Sequence, residues 1–379
     1  GDYMSKPEVF FTDFTTPMYG TPIPKKFENL IRKAGIDKID MNGKFVAIKI
    51  HFGELGNLSF MRPNYARVVV DIVKSLGGKP FLTDCNTLYP GYRKNALEHL
   101  ECAWQNGFTP LTVGCPILIG DGLKGTDDVE VPVEGGEQCK VAKIGRAVMD
   151  ADIIISLNHF KGHEEMGFGG ALKNLGMGCG SRAGKKDMHA TGQPTIDPLM
   201  CRGCRLCAKQ CANDGLVFDE AKKKMNVDTK NCLGCGRCIG ACNFDAISFR
   251  ESNSGKDLNI RVAEYTKAVV SDRPNFHISL ICDVSPNCDC HCENGAPILP
   301  DIGMLASFDP VALDQACVDL CRKATPTANG DLAKNMQKPN FVDYKDHWKN
   351  NHPNVEWETV LVHGEKIGVG SRDYELVEV

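Results

Sequence analysis

Outside its middle, the chain alternates short apolar runs with stretches of helical periodicity. Phe45 to Ile50 (FVAIKI) is too short for a helix and predicts a strand. From Arg62, with Pro63 early in the first turn, Tyr65, Val68, Val69, Ile72, Val73 and Leu76 recur at the spacing of one helix face, and Gly77 ends the pattern. Pro80 to Thr83 is a second strand. The three segments predict a βαβ unit with parallel strands and a right-handed crossover. A helix is expected over Lys94 to Gln105 with Leu97, Leu100 and Trp104 inward, and a third strand over Asp152 to Leu157 (DIIISL). Further on, Arg261 to Val270 reads as a helix and His277 to Cys282 (HISLIC) as a fourth strand. Asp309 as N-cap and Pro310 at the first helical position open a helix over Val311 to Cys321. In that helix Cys317 and Cys321 share a face with Leu313 and Leu320 and read as small core residues. The tail from about Thr325 is rich in Asn, Lys, Pro and His and ends in the strand-like stretch Tyr374 to Val379.

Between these halves lie two copies of C-x2-C-x2-C-x3-C, 31 residues apart: Cys201, Cys204, Cys207 and Cys211, then Cys232, Cys235, Cys238 and Cys242. The register extends to Gly203/Gly234, Asp214/Asp245, Leu216/Ile247 and Phe218/Phe249. Three thiolates at this spacing can hold three corners of an iron-sulfur cube, but so tight a loop does not readily reach the fourth. Zinc sites, the alternative, normally use two separated C-x2-C pairs around one tetrahedral ion. Over about 50 residues the segment resembles a bacterial two-cluster ferredoxin, in which the fourth cysteine of each run ligates the other cluster. That resemblance implies one 4Fe-4S cluster on Cys201, Cys204, Cys207 and Cys242, and a second on Cys232, Cys235, Cys238 and Cys211. Ala212 and Asn243 stand where such ferredoxins usually carry proline, which bears on cluster potential. The expected fold class is therefore α/β, a mostly parallel sheet with an inserted two-cluster ferredoxin-like module. The expected division is an α/β domain in two parts, residues 4–197 and 251–379 with the tail, around a module at 198–250.

At 379 residues the chain can bury a sizeable core. Lys and Arg total 44 against 48 Asp and Glu, a net charge of −4, and no run of five or six like charges occurs. Nucleic acid and membrane surfaces are thus not expected partners, whereas a redox protein or a small anionic molecule is. No apolar stretch reaches the roughly 18 residues that span a bilayer, and no signal segment opens the chain. Gly1 to Tyr3 read as residues ahead of a natural start at Met4. A reducing cytoplasm is expected, since the cluster spacing of eight of the 19 cysteines and the missing signal do not read as a disulfide framework.

In open parallel sheets ligands bind at the carboxyl ends of strands. The first strand ends at His51 with Glu54 beyond, the second at Asp84 and Cys85, the third at Asn158, His159, Lys161 and His163, the fourth at Cys282 and Asp283. A lone strand-end histidine is more often a packed or capping residue, but four such ends in parallel neighbours converge on one face. His51, Asp84, His159, Lys161, His163 and Lys173 are the candidate catalytic groups. The stretch from Asn158 to His189 holds eight glycines between Gly162 and Gly184, together with Lys161, Lys173, Arg182, Lys185 and Lys186. Glycines let the backbone approach a ligand and the cations favour an anion, so Gly167, Gly169, Gly170 and Arg182 are candidate binding residues. The alternative is a mobile surface loop. No P-loop and no complete G-x-G-x-x-G is present in this stretch. In CDVSPNCDCHCENG, Cys288, Cys290 and Cys292 alternate and can share a face to bind a soft metal of unassigned identity, with Asp283, His291 or a strand-end histidine as fourth ligand. The alternative is a set of exposed reduced thiols.

These segments together resemble the domain of unknown function family 362 in its ferredoxin-bearing form. The resemblance rests on IHFGELGNLSFMRP from Ile50, PFLTDCNTLYPG from Pro80, HFKGHEEMGFGGALKNLGMGCGSRAGK from His159, the cysteine runs, CDVSPNCDC from Cys282 and PDIGMLASFDPVALDQA from Pro300. The family carries no settled activity. The stretch from His163 to Lys173 is also distantly similar to the H-x-x-x-G-x-x-G-G-x-K motif of nickel-pincer lactate racemases, which maps the cofactor-holding pair onto His163 and Lys173. Gly169 and Gly170 fall one residue early. Three functions stay open: an iron-sulfur redox protein relaying electrons to a second, anion- or metal-binding site on the α/β domain, with oxidoreductase the enzyme class it points to and the reaction unassigned; a metal- or cofactor-dependent isomerase or oxidoreductase with structural clusters; and a non-catalytic cluster or metal carrier or redox sensor.

Overall fold

The computed structural model describes residues 5–88, 91–189, 193–234, 238, 241, 242, 244, 246–249 and 254–379. Cys235, Asn243 and Asp245 lie outside the described residues. Eight strands form the main sheet: β1 (Glu8–Asp13), β2 (Phe45–Lys49), β3 (Lys79–Asp84), β4 (Ile117–Ile119), β5 (Ile153–His159), β6 (Asn275–Ile281), β7 (Gly303–Ser307) and β8 (Glu375–Glu378). Their order is β8-β1-β7-β6-β5-β2-β3-β4. Only β7 among them runs against the rest, pairing antiparallel with both β1 and β6. The fold is thus α/β with a large, mostly parallel sheet that draws strands from both sides of the cysteine-rich segment.

Strands buried on both faces explain why β2 and β5 read as nearly continuous apolar runs. Val46, Ile48, Ile153 and Ile155 face one core with the helices Ile23–Lys33 and Pro63–Ser75, while Ala47 and Ile154 face the other. The second core is covered by α-helices Ala171–Cys179, Ser254–Val270, Pro310–Lys323 and Glu358–Lys366. The side-chain period of two sends neighbours to opposite layers. Pro63 occupies the first position of its helix, and Asp309 caps Pro310–Lys323 by accepting from the Ala312 N–H at 2.8 Å. Cys317 and Cys321 are fully buried.

Several expectations shift. The helix Ala96–Gln105 turns His99, Cys102 and Ala103 inward, while Leu97 and Trp104 are 70% and 51% exposed. His99 takes the inner position because its Nε2 lies 3.6 Å from Asp84 and its Nδ1 3.3 Å from Asn86. Apolar spacing therefore misplaced the face. The helix expected from Arg261 begins at Ser254, and β1, β4 and β7 had no sequence expectation. No helix among the described residues is long and apolar enough to cross a membrane.

One buried group in β6 makes the fold acid-sensitive. His277 is fully buried, with Nδ1 2.8 Å from Ser156 Oγ and Nε2 2.7 Å from Asn275 Oδ1, and burial pushes its pKa down to about 3. The unfolded chain binds this proton near pH 6.5 and the native state does not. The stabilisation is therefore complete above about pH 6.5 and is lost, at roughly 1.4 kcal/mol per unit, as pH falls towards 3. His277→Gln should flatten that part of the stability profile in urea titrations between pH 4 and 6; parallel profiles for the two proteins would count against a neutral buried imidazole.

Candidate functional site

The sheet order places β6, β5, β2 and β3 side by side and in parallel, so their four carboxyl ends are neighbours. They open on a cavity of about 70 Å³ lined by His51, Asp84, His159, Lys161, His163 and Lys173 together with Cys288, Cys290 and His291. Convergence follows from topology, because parallel neighbours present the same end. Lys49, Arg93, Glu164, Glu165 and His189 also line this chamber and were not singled out from the sequence, while Lys185, one of the cations named in the glycine-rich stretch, lines it as well. Lys49 had left a signal, a lysine inside the apolar run FVAIKI. Arg93 had left none.

At the β2–β3 side, Lys49 Nζ lies 2.9 Å from Asp84 and donates to Asn174 Oδ1 at 2.7 Å, with both charged groups buried. Burial alone would raise the Asp84 carboxyl, but Lys49, then His99, hold it well below the usual carboxylate range. Arg93 is 3.8 Å from Asp84 and donates to Glu54 at 3.0 Å. Asp84 Oδ2 and Arg93 Nη2 are buried and make no hydrogen bond among the described residues, and Oδ2 has His99 Nε2 at 3.6 Å and Arg93 Nη1 at 3.8 Å. His51 accepts the Gly53 N–H on Nδ1 at 2.9 Å, and burial followed by Arg93 holds its pKa well below normal. A neutral ring with Nδ1 accepting carries its proton on Nε2. His51 is therefore a donor in this arrangement.

On the β5–β6 side, both ring nitrogens of His159 face acceptors: Asp289 Oδ2 at 2.7 Å and the Cys282 carbonyl at 2.8 Å. These two contacts tie the loop after β6 to β5 and occupy both ring nitrogens, so His159 positions Asp289, which also has Lys161 Nζ at 3.7 Å. His163 differs. Its Nδ1 accepts the N–H groups of Glu165 and Met166, both at 3.1 Å, which directs the protonated Nε2 elsewhere. Lys173 donates to Cys288 Sγ at 3.1 Å. The neighbouring Cys290 thiol, then Lys173 and His163 against the cost of burial, hold the Cys288 thiol well below its ordinary value. Cys290, beside that thiolate, is pushed well above. His291 lies 2.7 Å from Glu164 and 3.2 Å from Glu293; although burial opposes it, Glu164 and Glu293 raise the ring to about 10.

Cys292 does not share the face of Cys288 and Cys290. It is exposed and donates to Glu293 at 2.9 Å, because the segment turns rather than running as an extended strand. The glycines also have local reasons. Gly167 has φ +88°, and a Cβ there would sit 2.5 Å from that of Trp357. Gly169 packs against Lys173 and Lys161, where a Cβ would meet their chains at 3.3 and 3.4 Å. At Gly170 a Cβ would lie 2.3 Å from Asp314 Oδ1, the carboxylate that accepts from Ala171 and Leu172 and caps the helix carrying Lys173. Gly170→Ala is expected to cost about 1 to 3 kcal/mol by overpacking. A urea midpoint within error of the parent would contradict that contact. Arg182 does not line the chamber; its side chain packs on Gly125.

Within residues 194–249 two short sheets, Pro194–Ile196 with Ile247–Phe249 and Leu216–Asp219 with Lys224–Val227, frame two smaller cavities. One is lined by Cys201, Cys204, Cys207 and Cys242, the other by Cys211, Cys232 and Cys238. Each combines the leading cysteines of one run with the last cysteine of the other. The N–H groups of Gly203, Gly234 and Gly215 donate to the sulfurs of Cys201, Cys232 and Cys211 at 3.4, 3.4 and 3.1 Å.

Fold and site together define an α/β protein with a charged chamber at the carboxyl edge of its sheet and a cysteine-lined segment between the two halves of the sheet in sequence. The chain belongs to the family described as domain of unknown function (DUF362), whose model matches residues 46–319. Among curated proteins nothing matches. Solved structures similar to it include the lactate racemase apoprotein from Thermoanaerobacterium thermosaccharolyticum, at 12% identity and a TM-score of 0.35, covering 68% of this chain and 49% of that one. Another is a Thermotoga maritima protein from a structural genomics programme, at 12% identity and a TM-score of 0.39, covering 80% of this chain and 60% of that one. The chain thus spans about half and three fifths of these two proteins.

Proposed function

We propose that this protein is an iron-sulfur oxidoreductase in which two 4Fe-4S clusters exchange electrons with a small anionic molecule held in the chamber. The observation that carries the reading is the crossed lining of the two cysteine cavities, since cubane clusters on C-x2-C-x2-C runs take their fourth thiolate from the other run. Chain geometry supports electron exchange with the chamber. His189 lines the chamber and Pro194 lines the cavity of Cys211, Cys232 and Cys238, and five residues span at most about 18 Å. Lys161, Lys173 and Lys185 supply donors to an anion, and His51 adds a neutral one. A cytoplasmic redox protein is the natural external partner.

Anaerobically purified protein should contain about eight iron and eight sulfide per chain and give the electron paramagnetic signals of reduced cubanes. Zinc at the runs, with no acid-labile sulfide, would refute the reading. A metal-dependent isomerase is the second reading, favoured by the contacts of His163 and Lys173 with the one thiolate of Cys288. Chamber chemistry that survives loss of both clusters would support it.

A further inference from the structure

We propose that Glu164, Cys290 and His291, joined by Cys288, bind one divalent transition metal ion of the zinc class at the wall of the chamber. The site is separate from the cysteine runs and does not depend on the electron-transfer reading. Ligand atoms of Glu164, Cys290 and His291 all lie within 4.8 Å of one another. Tetrahedral donors at zinc bond lengths sit about 3.3 to 3.8 Å apart, so small side-chain rotations close the shell. Cys288 stands next to this group as the fourth donor: its sulfur meets the Cys290 side chain and accepts the Cys290 N–H at 3.5 Å, although it lies outside the set of atoms within 4.8 Å of one another. Two thiolates, an imidazole and a carboxylate suit zinc, cobalt or iron(II), and disfavour magnesium and calcium, which want oxygen.

The surroundings are those of a ligand set held in place. His291 turns its other nitrogen, Nδ1, to Glu293 Oε1 at 3.2 Å, the carboxylate–imidazole arrangement that orients metal-bound histidines. Glu164 is steered by the Cys288 N–H, 3.1 Å from Oε2, leaving Oε1 towards His291. Lys173, 3.1 Å from Cys288 Sγ, offsets the charge of a second thiolate. Cys288, Cys290 and His291 all line the chamber, which places the ion where a chamber ligand can reach it.

The test adds Zn²⁺ to anaerobic, cluster-loaded protein, followed by zinc analysis and zinc-edge X-ray absorption, to which iron is silent. About one zinc per chain is expected, in a mixed shell with sulfur near 2.3 Å and nitrogen or oxygen near 2.0 Å. His291→Ala and Glu164→Gln should each weaken zinc binding at least about ten-fold, and Glu293→Gln by a similar factor, with iron content unchanged. Cys292→Ser should bind as the parent does. Should His291→Ala lose iron or its unfolding transition, Glu164→Gln and Glu293→Gln still decide the matter. Zinc that does not bind, that shows an all-sulfur shell, or that binds these variants as tightly as the parent overturns the proposal.

Discussion

Asp84→Asn is expected to destabilise the protein by about 3 to 5 kcal/mol, because it leaves the Lys49 ammonium buried without a counter-charge. Asp84 is also the carboxylate nearest His99 and one of two facing Arg93, so its loss also takes one counter-charge from Arg93. Asn174 Oδ1 remains to Lys49 but carries no charge. The effect should appear as a lower urea midpoint at unchanged slope. Adding Lys49→Met to Asp84→Asn should recover much of it, since removing both charges abolishes the uncompensated one. A single variant within about 1 kcal/mol of the parent would mean that water or a ligand already satisfies Lys49. Such an outcome would remove Asp84 from the electrostatic frame of the chamber.

Cys211→Ala is expected to cost about half of the iron, and the lost cluster should be the one associated with Cys232, Cys235 and Cys238. The reason lies in the cavity lining: Cys211 stands with Cys232 and Cys238, while the three cysteines ahead of it stand with Cys242. Cys242→Ala should give the complementary loss. Pairing each of these with Cys204→Ala separates the cases. Cys242→Ala with Cys204→Ala strikes one cluster twice and keeps half the iron, whereas Cys211→Ala with Cys204→Ala removes nearly all of it. If instead Cys211→Ala and Cys204→Ala together retain half the iron, each run closes its own cluster and the crossed assignment is wrong.

The strands after which the chamber residues fall were legible because runs such as FVAIKI and DIIISL are buried on both faces and need no partner to reveal them. The face of Ala96–Gln105 was not, since a polar His99 occupies the buried position for the sake of Asp84. Gly170 looked like a ligand contact and is a steric concession to Asp314, 144 positions away in sequence. His159 read as a candidate catalytic group and has both ring nitrogens engaged, by Asp289 and the Cys282 carbonyl.

By itself the sequence determined the strand-helix alternation, the duplicated cysteine runs, and a set of reactive groups at strand ends, because each depends on spacing within a few residues. Only the tertiary structure decided which strands are neighbours, and hence that His51, Asp84, His163, Lys173 and Cys288 share one chamber with Arg93 and Lys49. It also decided that Cys292 turns away while Glu164 joins Cys290 and His291. Those outcomes depend on contacts between segments more than a hundred residues apart, such as Lys173 with Cys288 and Glu164 with His291, and no local pattern encodes a distance in space.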